Sequence, residues 1–321
     1  MHPIRVGLVG TGYAAKARAE SFRADFRAQL VAVAGRTREN AEAFCAAYGG
    51  EAVAAWPELI SRDDVDLIVI ASINSDHGPV ARAALQAQKH VVVEYPLALD
   101  LVEAEALSHL AQVQNKLLHV EHIELLSGIH QAVQAALPEL GRLFYANYTN
   151  LNPQRPAPTK WTYSQSQFGF PLIGALSRIH RLTHLFGQVA AVSCRASYWP
   201  PADRFASCLV TAQLQFVSGL VAEVVYGKGE TIWQAARTLT VHGERGAVLI
   251  DRDEGTLVLP DQTRKLDMGS RRGLFARDTA LVLDRLTTGS LLYVSLVDSL
   301  YALKVADAAR RSAVTGTTVR L

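Results

Sequence analysis

The chain predicts an α/β protein in two parts. A doubly wound parallel sheet comes first, followed by an α+β region with a large, mostly antiparallel open sheet. Three observations lead there. Apolar, strand-like runs alternate with helical stretches of about 10–15 residues through the first third of the chain. A glycine-rich turn, Gly10-Thr11-Gly12, separates the first run from the first helix. After Glu124 the alternation stops, and short strands separated by turn residues follow one another.

The first run, Ile4-Arg5-Val6-Gly7-Leu8-Val9, leads through Gly10-Thr11-Gly12-Tyr13-Ala14-Ala15 into an Ala- and Arg-rich helix. Strand, Gly-x-Gly-x-x-Ala and helix in that order are the fingerprint of a dinucleotide-binding βαβ unit, the start of a Rossmann domain. Gly10 permits the tight turn. Gly12 lets the backbone approach a pyrophosphate, and Ala15 lets the helix pack close to the strand. The pyrophosphate would sit on the helix N-terminus, where unpaired N–H groups favour anions. Standing alone, the motif also describes an ordinary glycine turn. The second strand, residues 29–34, ends at Gly35-Arg36-Thr37-Arg38. An NAD-specific protein places an Asp or Glu there for the ribose 2′-hydroxyl. Arg36 would instead bind a 2′-phosphate through a charge-assisted fork. The expected cofactor is therefore NADPH, with NADH weaker; otherwise Arg36 and Arg38 are solvated loop arginines.

The alternation continues with a helix over 41–48 and a strand over 66–71, an unbroken apolar run of the kind buried on both faces. Residues 72–77 read as a loop, 78–88 as a helix and 90–94 as a strand. A helix over 101–115 and a strand over 117–120 complete the set. Ligands bind at the carboxyl ends of such strands, which places Gly10, Arg36, Asn74, Glu94, Tyr95 and Glu121 around one crevice. In the second part, residues 127–136 read as a helix. Strand candidates are 143–148, 191–198, 207–216, 220–226, 238–242, 247–251 and 256–259, with turn chemistry at Ser218-Gly219, Gly243-Glu244 and Asp253-Glu254-Gly255. Helices over 279–287 and 295–313 close the chain. The expected domains are 1–123 and 124–321, the last helices being free to pack back on the first domain.

The chain has 321 residues, enough for two domains, and 49% hydrophobic with 19% charged residues is ordinary for a globular protein. A net charge of +2 gives no field favouring nucleic acid. No apolar run reaches bilayer length, and the first strand starts too early to leave room for a signal peptide. Cys45, Cys194 and Cys208 are few and widely spaced, against both a disulfide framework and a zinc site. A cytoplasmic protein is expected, with no membrane or nucleic-acid partner. His119, Glu121, His122 and Glu124 have the residue types of a metal site, but strand alternation would put them two on each face. No metal is expected there, nor at His180 and His184, where packing or surface roles are the simpler reading.

Three features together carry a resemblance: the Gly10-x-Gly12 opening, the Asn74 to His77 loop and Glu94-Tyr95-Pro96. They resemble the Gfo/Idh/MocA oxidoreductase family. That family usually shows Glu-Lys-Pro at the last motif, the Lys being its acid/base residue for sugar hydroxyls; here the position is Tyr95. It also usually places an Asp and a His on the substrate-lining helix, and no acidic residue occurs over 168–187. Glu-Tyr-Pro is instead similar to the biliverdin reductases of cyanobacteria. Long runs over 6–15, 91–98, 119–126, 156–178 and 270–275 extend that likeness through both domains.

The resemblance implies hydride transfer from NADPH to C10 of biliverdin and a proton on a pyrrole nitrogen, giving bilirubin. A donor is needed near the central rings. Arg178 is the first candidate: five donors and no acceptor make a guanidinium a good stabiliser of electron density. The alternative for Arg178 is a structural tie to a carboxylate. Tyr95 is the second candidate, a neutral phenol that either donates a hydrogen bond or shapes the pocket. The cofactor residues implied are Gly10, Thr11, Gly12, Tyr13, Ala14, Arg36, Thr37, Ser72, Ile73, Asn74, His77, Glu94 and Tyr95. His77 reads equally as a helix-cap or packing residue. Pro96 would fix the loop after Glu94, and Glu94 would anchor that loop and the nicotinamide ribose. Tyr95, Glu121, Trp161, Phe168, Phe170 and Arg178 are the implied substrate residues, the aromatics either stacking on the flat pigment or packing as a satellite core. Arg155, Lys160, Arg271 and Arg272 are candidates for the propionates, or ordinary surface charge. Two other functions remain: a sugar or polyol dehydrogenase of the same family, and a non-catalytic NADP(H)- or ligand-sensing protein.

Overall fold

The computed structural model describes residues 2–270 and 272–321. The chain begins β1 (Ile4–Val9), α1 (Tyr13–Arg23), β2 (Ala28–Ala34), α2 (Arg38–Tyr48), β3 (Glu51–Val53), α3 (Trp56–Ile60), β4 (Leu67–Ile70), α4 (Asn74–Gln86), β5 (His90–Val93), α5 (Leu101–Val113) and β6 (Leu118–Val120). It continues with α6 (Gly128–Ala136), β7 (Leu143–Pro153), α7 (Gln165–Phe168), α8 (Pro171–Gly174), α9 (Ser177–Phe186), β8 (Val189–Trp199), β9 (Ser207–Phe216) and β10 (Val221–Gly229). The remainder is β11 (Ala236–Gly243), β12 (Gly246–Asp251), β13 (Glu254–Leu259), β14 (Gln262–Lys265), α10 (Leu274–Thr288), α11 (Leu296–Thr315) and β15 (Val319–Arg320). Two compact units result, 1–123 with 273–300 and 124–272 with 301–321.

In the first unit six parallel strands lie in the order β3-β2-β1-β4-β5-β6. All of β4 is buried, because helices cover both faces of a parallel sheet. The order reverses between β1 and β4, so the crevice of the doubly wound fold opens beyond Val9 and Ile70. The core gathers Val6, Leu8, Ala15, Ala19, Phe22 and Val69 with Val282 and Leu283 of α10. Each such Leu, Val or Phe contributes about 1.5–3 kcal/mol on burial.

In the second unit nine strands of the described residues run β14-β13-β12-β11-β7-β10-β9-β8-β15. Every neighbouring pair is antiparallel except β7 with β10, so the sheet is mixed. Strand β9 alternates buried and exposed positions along most of its length, as a sheet solvated on one face requires.

Two differences from the sequence reading bear on the site. Residues 74–77 are the first turn of α4, not a loop. Asn, Ser, Asp, His, Gly and Pro are poor helix formers, and here tertiary burial of Asn74 and His77 holds the turn in place. The strand expected to carry His119 to Glu124 on alternate faces ends at Val120, so alternation does not govern that cluster. The short β3, α3, β14 and β15 have no counterpart in the sequence reading. Strand β14 is exposed at every position and has no apolar pattern to read.

Candidate functional site

The turn between β1 and α1 is built for one backbone path. Gly10 has φ of +120° and its N–H donates to the Ala34 carbonyl at 2.8 Å. A Cβ at Gly10 would run into the Ala71 carbonyl, so only glycine fits. Gly12 caps α1 at φ of −80°, and a Cβ there would meet nothing within 4 Å. The space over the helix N-terminus is therefore open. Tyr13, Ala14 and Ala15 form the first turn, which holds no acidic residue and no side-chain cap. Unsatisfied N–H groups facing open space accept a phosphate, and a pyrophosphate fits this cradle. Ala15 is buried and lets the helix lie close to β1.

At the end of β2, a Cβ on Gly35 would come within 2.9 Å of the Thr37 carbonyl oxygen. The Thr37 hydroxyl caps α2 by accepting from the Asn40 N–H at 3.3 Å. Arg36 is exposed, whereas Arg38 pairs with Glu42 at 2.9 Å. Thr11 is half-buried beside Gly35. Ser72 and Ile73 lie between β4 and α4, and Asn74 is buried at the helix start. His77 is spent on structure: Nδ1 lies 2.8 Å from the Pro96 carbonyl and Nε2 3.4 Å from that of Ser72. Burial lowers its pKa from the usual histidine value. Its role is to tie the loop after β5 to the start of α4, which favours the packing alternative over a ligand contact.

Beyond β5 and β6 lies a buried charge network. The Arg18 guanidinium, fully buried on α1, donates from Nε to Glu94 at 3.0 Å and from Nη1 to Thr279 at 3.2 Å and to Asp278. Asp278 also takes the Tyr293 hydroxyl at 2.8 Å and faces His119 Nε2 at 2.9 Å. Arg18 and His119 hold the Asp278 carboxyl well below the usual carboxylate range despite its burial. Burial pushes Glu121 the other way, well above that range, helped by the neighbouring Glu94 carboxylate, which shares a hydrogen bond with it. Glu121 is 1% exposed, so it supports Glu94 from behind. Tyr95 stacks on His122, the rings parallel within 5° at 5.7 Å, and His122 Nε2 is fixed by Ser299 at 2.9 Å. A phenol and a buried carboxyl of raised pKa thus stand at neighbouring strand ends.

In the second unit Arg178 is half-buried at the second residue of α9. Its Nη1 donates to Ser177 at 3.0 Å, and its guanidinium lies 5.4 Å above the Tyr226 ring. Phe168 is buried, not offered as a stacking face. It packs on Trp161 at 5.9 Å and carries the Lys228 ammonium 3.8 Å above its ring. Burial brings that lysine down to about 8. Phe170 is half-buried ahead of α8. His184 pairs with His130 at 2.9 Å, a packing contact between helices. Arg155 lies 3.8 Å over Trp233 and donates to the Ile232 carbonyl. Lys160 and Arg272 are exposed, and Arg271 lies outside the described residues. Among the described residues no group of three or more His, Cys, Asp or Glu converges as a metal site, and no helix is long and apolar enough to cross a membrane. The sequence reading missed Arg18, Asp278, Arg181 and Lys228. For Arg18 a signal existed: it sits on the Ala15, Ala19, Phe22 stripe of α1.

Residues 4–122 match the oxidoreductase family model for a NAD-binding Rossmann fold, and 137–321 match that family's C-terminal α/β domain. The chain belongs to the Gfo/Idh/MocA oxidoreductase family. As a member it is an NAD(P)H-dependent oxidoreductase. Among solved structures, biliverdin reductase of Synechocystis sp. PCC 6803, crystallised with biliverdin and NADP+, is 51% identical over 97% of this chain and 99% of that one, at a TM-score of 0.94. Human biliverdin reductase A is 33% identical over 140 residues, which is 42% of this chain. The chain thus spans 43% of the human relative's length. A 3-ketoreductase of Actinomadura kijaniata, solved with NADP and TDP-benzene, has a TM-score of 0.86 over 97% of this chain and 98% of that one. At 23% identity it shares the Gfo/Idh/MocA fold alone.

Proposed function

We propose that this oxidoreductase reduces biliverdin to bilirubin with NADPH. The observation that carries the reading is the end-to-end likeness, at 51% identity, to an enzyme crystallised with biliverdin and NADP+. The residues at hand agree with it. Tyr95 stands where sugar dehydrogenases of the family keep a lysine, so the side chain that would take a proton from a sugar hydroxyl is replaced by a donor. No acidic residue lies on α9.

Gly12 and the first turn of α1 hold the pyrophosphate, and Arg36, exposed with no carboxylate at its position, takes a 2′-phosphate. The bound nicotinamide supplies the hydride. Glu94, braced by Arg18 and Glu121, orients the ribose and sets the loop that carries Tyr95. Tyr95 donates a hydrogen bond to the pigment. Arg178 stabilises the electron density that builds on the reduced pyrroles, and the proton reaches the nitrogen through it or an adjacent water.

Mixing the protein with biliverdin and NADPH tests this. Loss of the green band and growth of the yellow one, faster with NADPH than with NADH, is the expected result. A spectrum that shifts without turnover would make the protein a bilin sensor, and no shift at all would end the reading.

A further inference from the structure

The second unit has a cavity of about 150 Å³, open to solvent, between α9 and one face of the large sheet. Its floor and rim differ in chemistry, and strand register explains why. Leu239 of β11 is paired with Tyr148 of β7 on one side and Ile250 of β12 on the other. These three form an apolar row across the sheet. Side chains on one face recur every second residue. Two positions along, Arg237 is paired with Asn150, and the Arg252 N–H donates to the Arg237 carbonyl at 2.8 Å. Arg237 and Arg252 therefore stand side by side on the face whose floor is apolar. From above, α9 adds Arg178 and Arg181, one turn apart.

Four guanidiniums line one cavity. Like charges side by side on neighbouring strands repel, so the arrangement asks for an anion. The carboxylate in the lining, Glu124, is taken by Arg181 at 2.7 Å. Arg237 reaches Asp253 at 2.6 Å, but that carboxylate is 74% exposed, and a pair so open to water is weak enough to be exchanged for a ligand. Among the described residues no ion pair within 4.0 Å involves Arg252. An apolar floor under a cationic rim suits a flat apolar body that carries carboxylates.

Building on the biliverdin reading above, we propose that this cavity is a carboxylate subsite of the pigment site, in which Arg237 and Arg252 hold the propionates while Tyr148, Leu239 and Ile250 lie against the rings. A planar guanidinium binds a carboxylate through two parallel hydrogen bonds. These two arginines set affinity and selectivity for the acid form of the pigment and take no part in hydride transfer.

The test uses the full chain, NADPH, and two substrates: biliverdin and its dimethyl ester, which keeps the rings and loses both charges. The variants are Arg237→Gln, Arg252→Gln and their combination. The double variant is expected to raise KM for biliverdin about tenfold or more, with kcat within about twofold, as loss of charge-assisted binding contacts implies. KM for the ester should stay within about twofold of wild type by the same reasoning. Folding is checked separately by thermal melts, in which each variant should match wild type. Equal loss on acid and ester, or no loss on either, overturns the subsite while leaving the reaction intact. A wild type inactive on biliverdin overturns the reading of the reaction and this subsite with it.

Discussion

Glu121 is a carboxyl deep inside the first unit, with Glu94, Arg18 and Asp278 as its charged neighbours. Burial and the Glu94 carboxylate outweigh the pull of Arg18, so its folded pKa lies well above the unfolded value. Raised in the folded state, the group contributes stability that is complete below the unfolded pKa of about 4.3. That contribution is lost as pH rises through the folded pKa. Glu121→Gln keeps the shape and needs no proton. Its melting temperature relative to wild type should therefore climb as pH rises from 5 to 9, read from paired thermal melts. A difference that stays constant over that range would mean that Glu121 ionises like an exposed acid. The sequence placed Glu121 at a strand end near the crevice but not behind Glu94. Its neighbours come from α1 and α10, and no local pattern names them.

Elements differ in how openly they declare themselves. Strand β4 is legible because an all-apolar run has no other use in a short segment. The α1 stripe Ala15, Arg18, Ala19 and Phe22 is legible too, and its odd member is the informative one. Arg18 is the residue by which α1 grips the loop after β5 through Glu94 and α10 through Asp278 and Thr279. By contrast, the first turn of α4 is hidden by residues that avoid helices, and it exists because Asn74 and His77 are buried and His77 is tied to the carbonyls of Ser72 and Pro96. The grip of α1 on α10 has a measurable size. Arg18→Met keeps the bulk of the side chain and strands Asp278 in the interior with His119 and Tyr293. Breaking one side of a buried ion pair costs about 3–5 kcal/mol, expected as a lower urea midpoint with an unchanged slope. A loss under about 1 kcal/mol would show that the polar partners alone satisfy Asp278.

On the scale of the whole chain, the first unit is not a continuous stretch. Residues 1–123 are completed by 273–300, after the chain has built most of the second unit. The sequence shows an apolar helix in that late segment but not where it packs, because periodicity reports which face is buried and not against what. In the structure, α10 gives Val282 and Leu283 to the core of β1, β4 and α1. It also gives Asp278 to a buried arginine. Without it, the fragment 1–123 would expose that apolar face and leave the Arg18 charge without its Asp278 partner in a half-open core. Both penalties are large beside the 5–15 kcal/mol or so that holds a domain together. The fragment 1–123 should therefore show no cooperative melt and no NADPH binding. The same fragment joined to 273–300 through a flexible Gly/Ser linker should regain both, measured by circular dichroism and by nucleotide fluorescence. The linker costs little, since closing a loop grows only slowly with its length. A cooperative melt of 1–123 alone would show that β1 to β6 with α1 to α5 are a complete core, and that α10 is an addition to it.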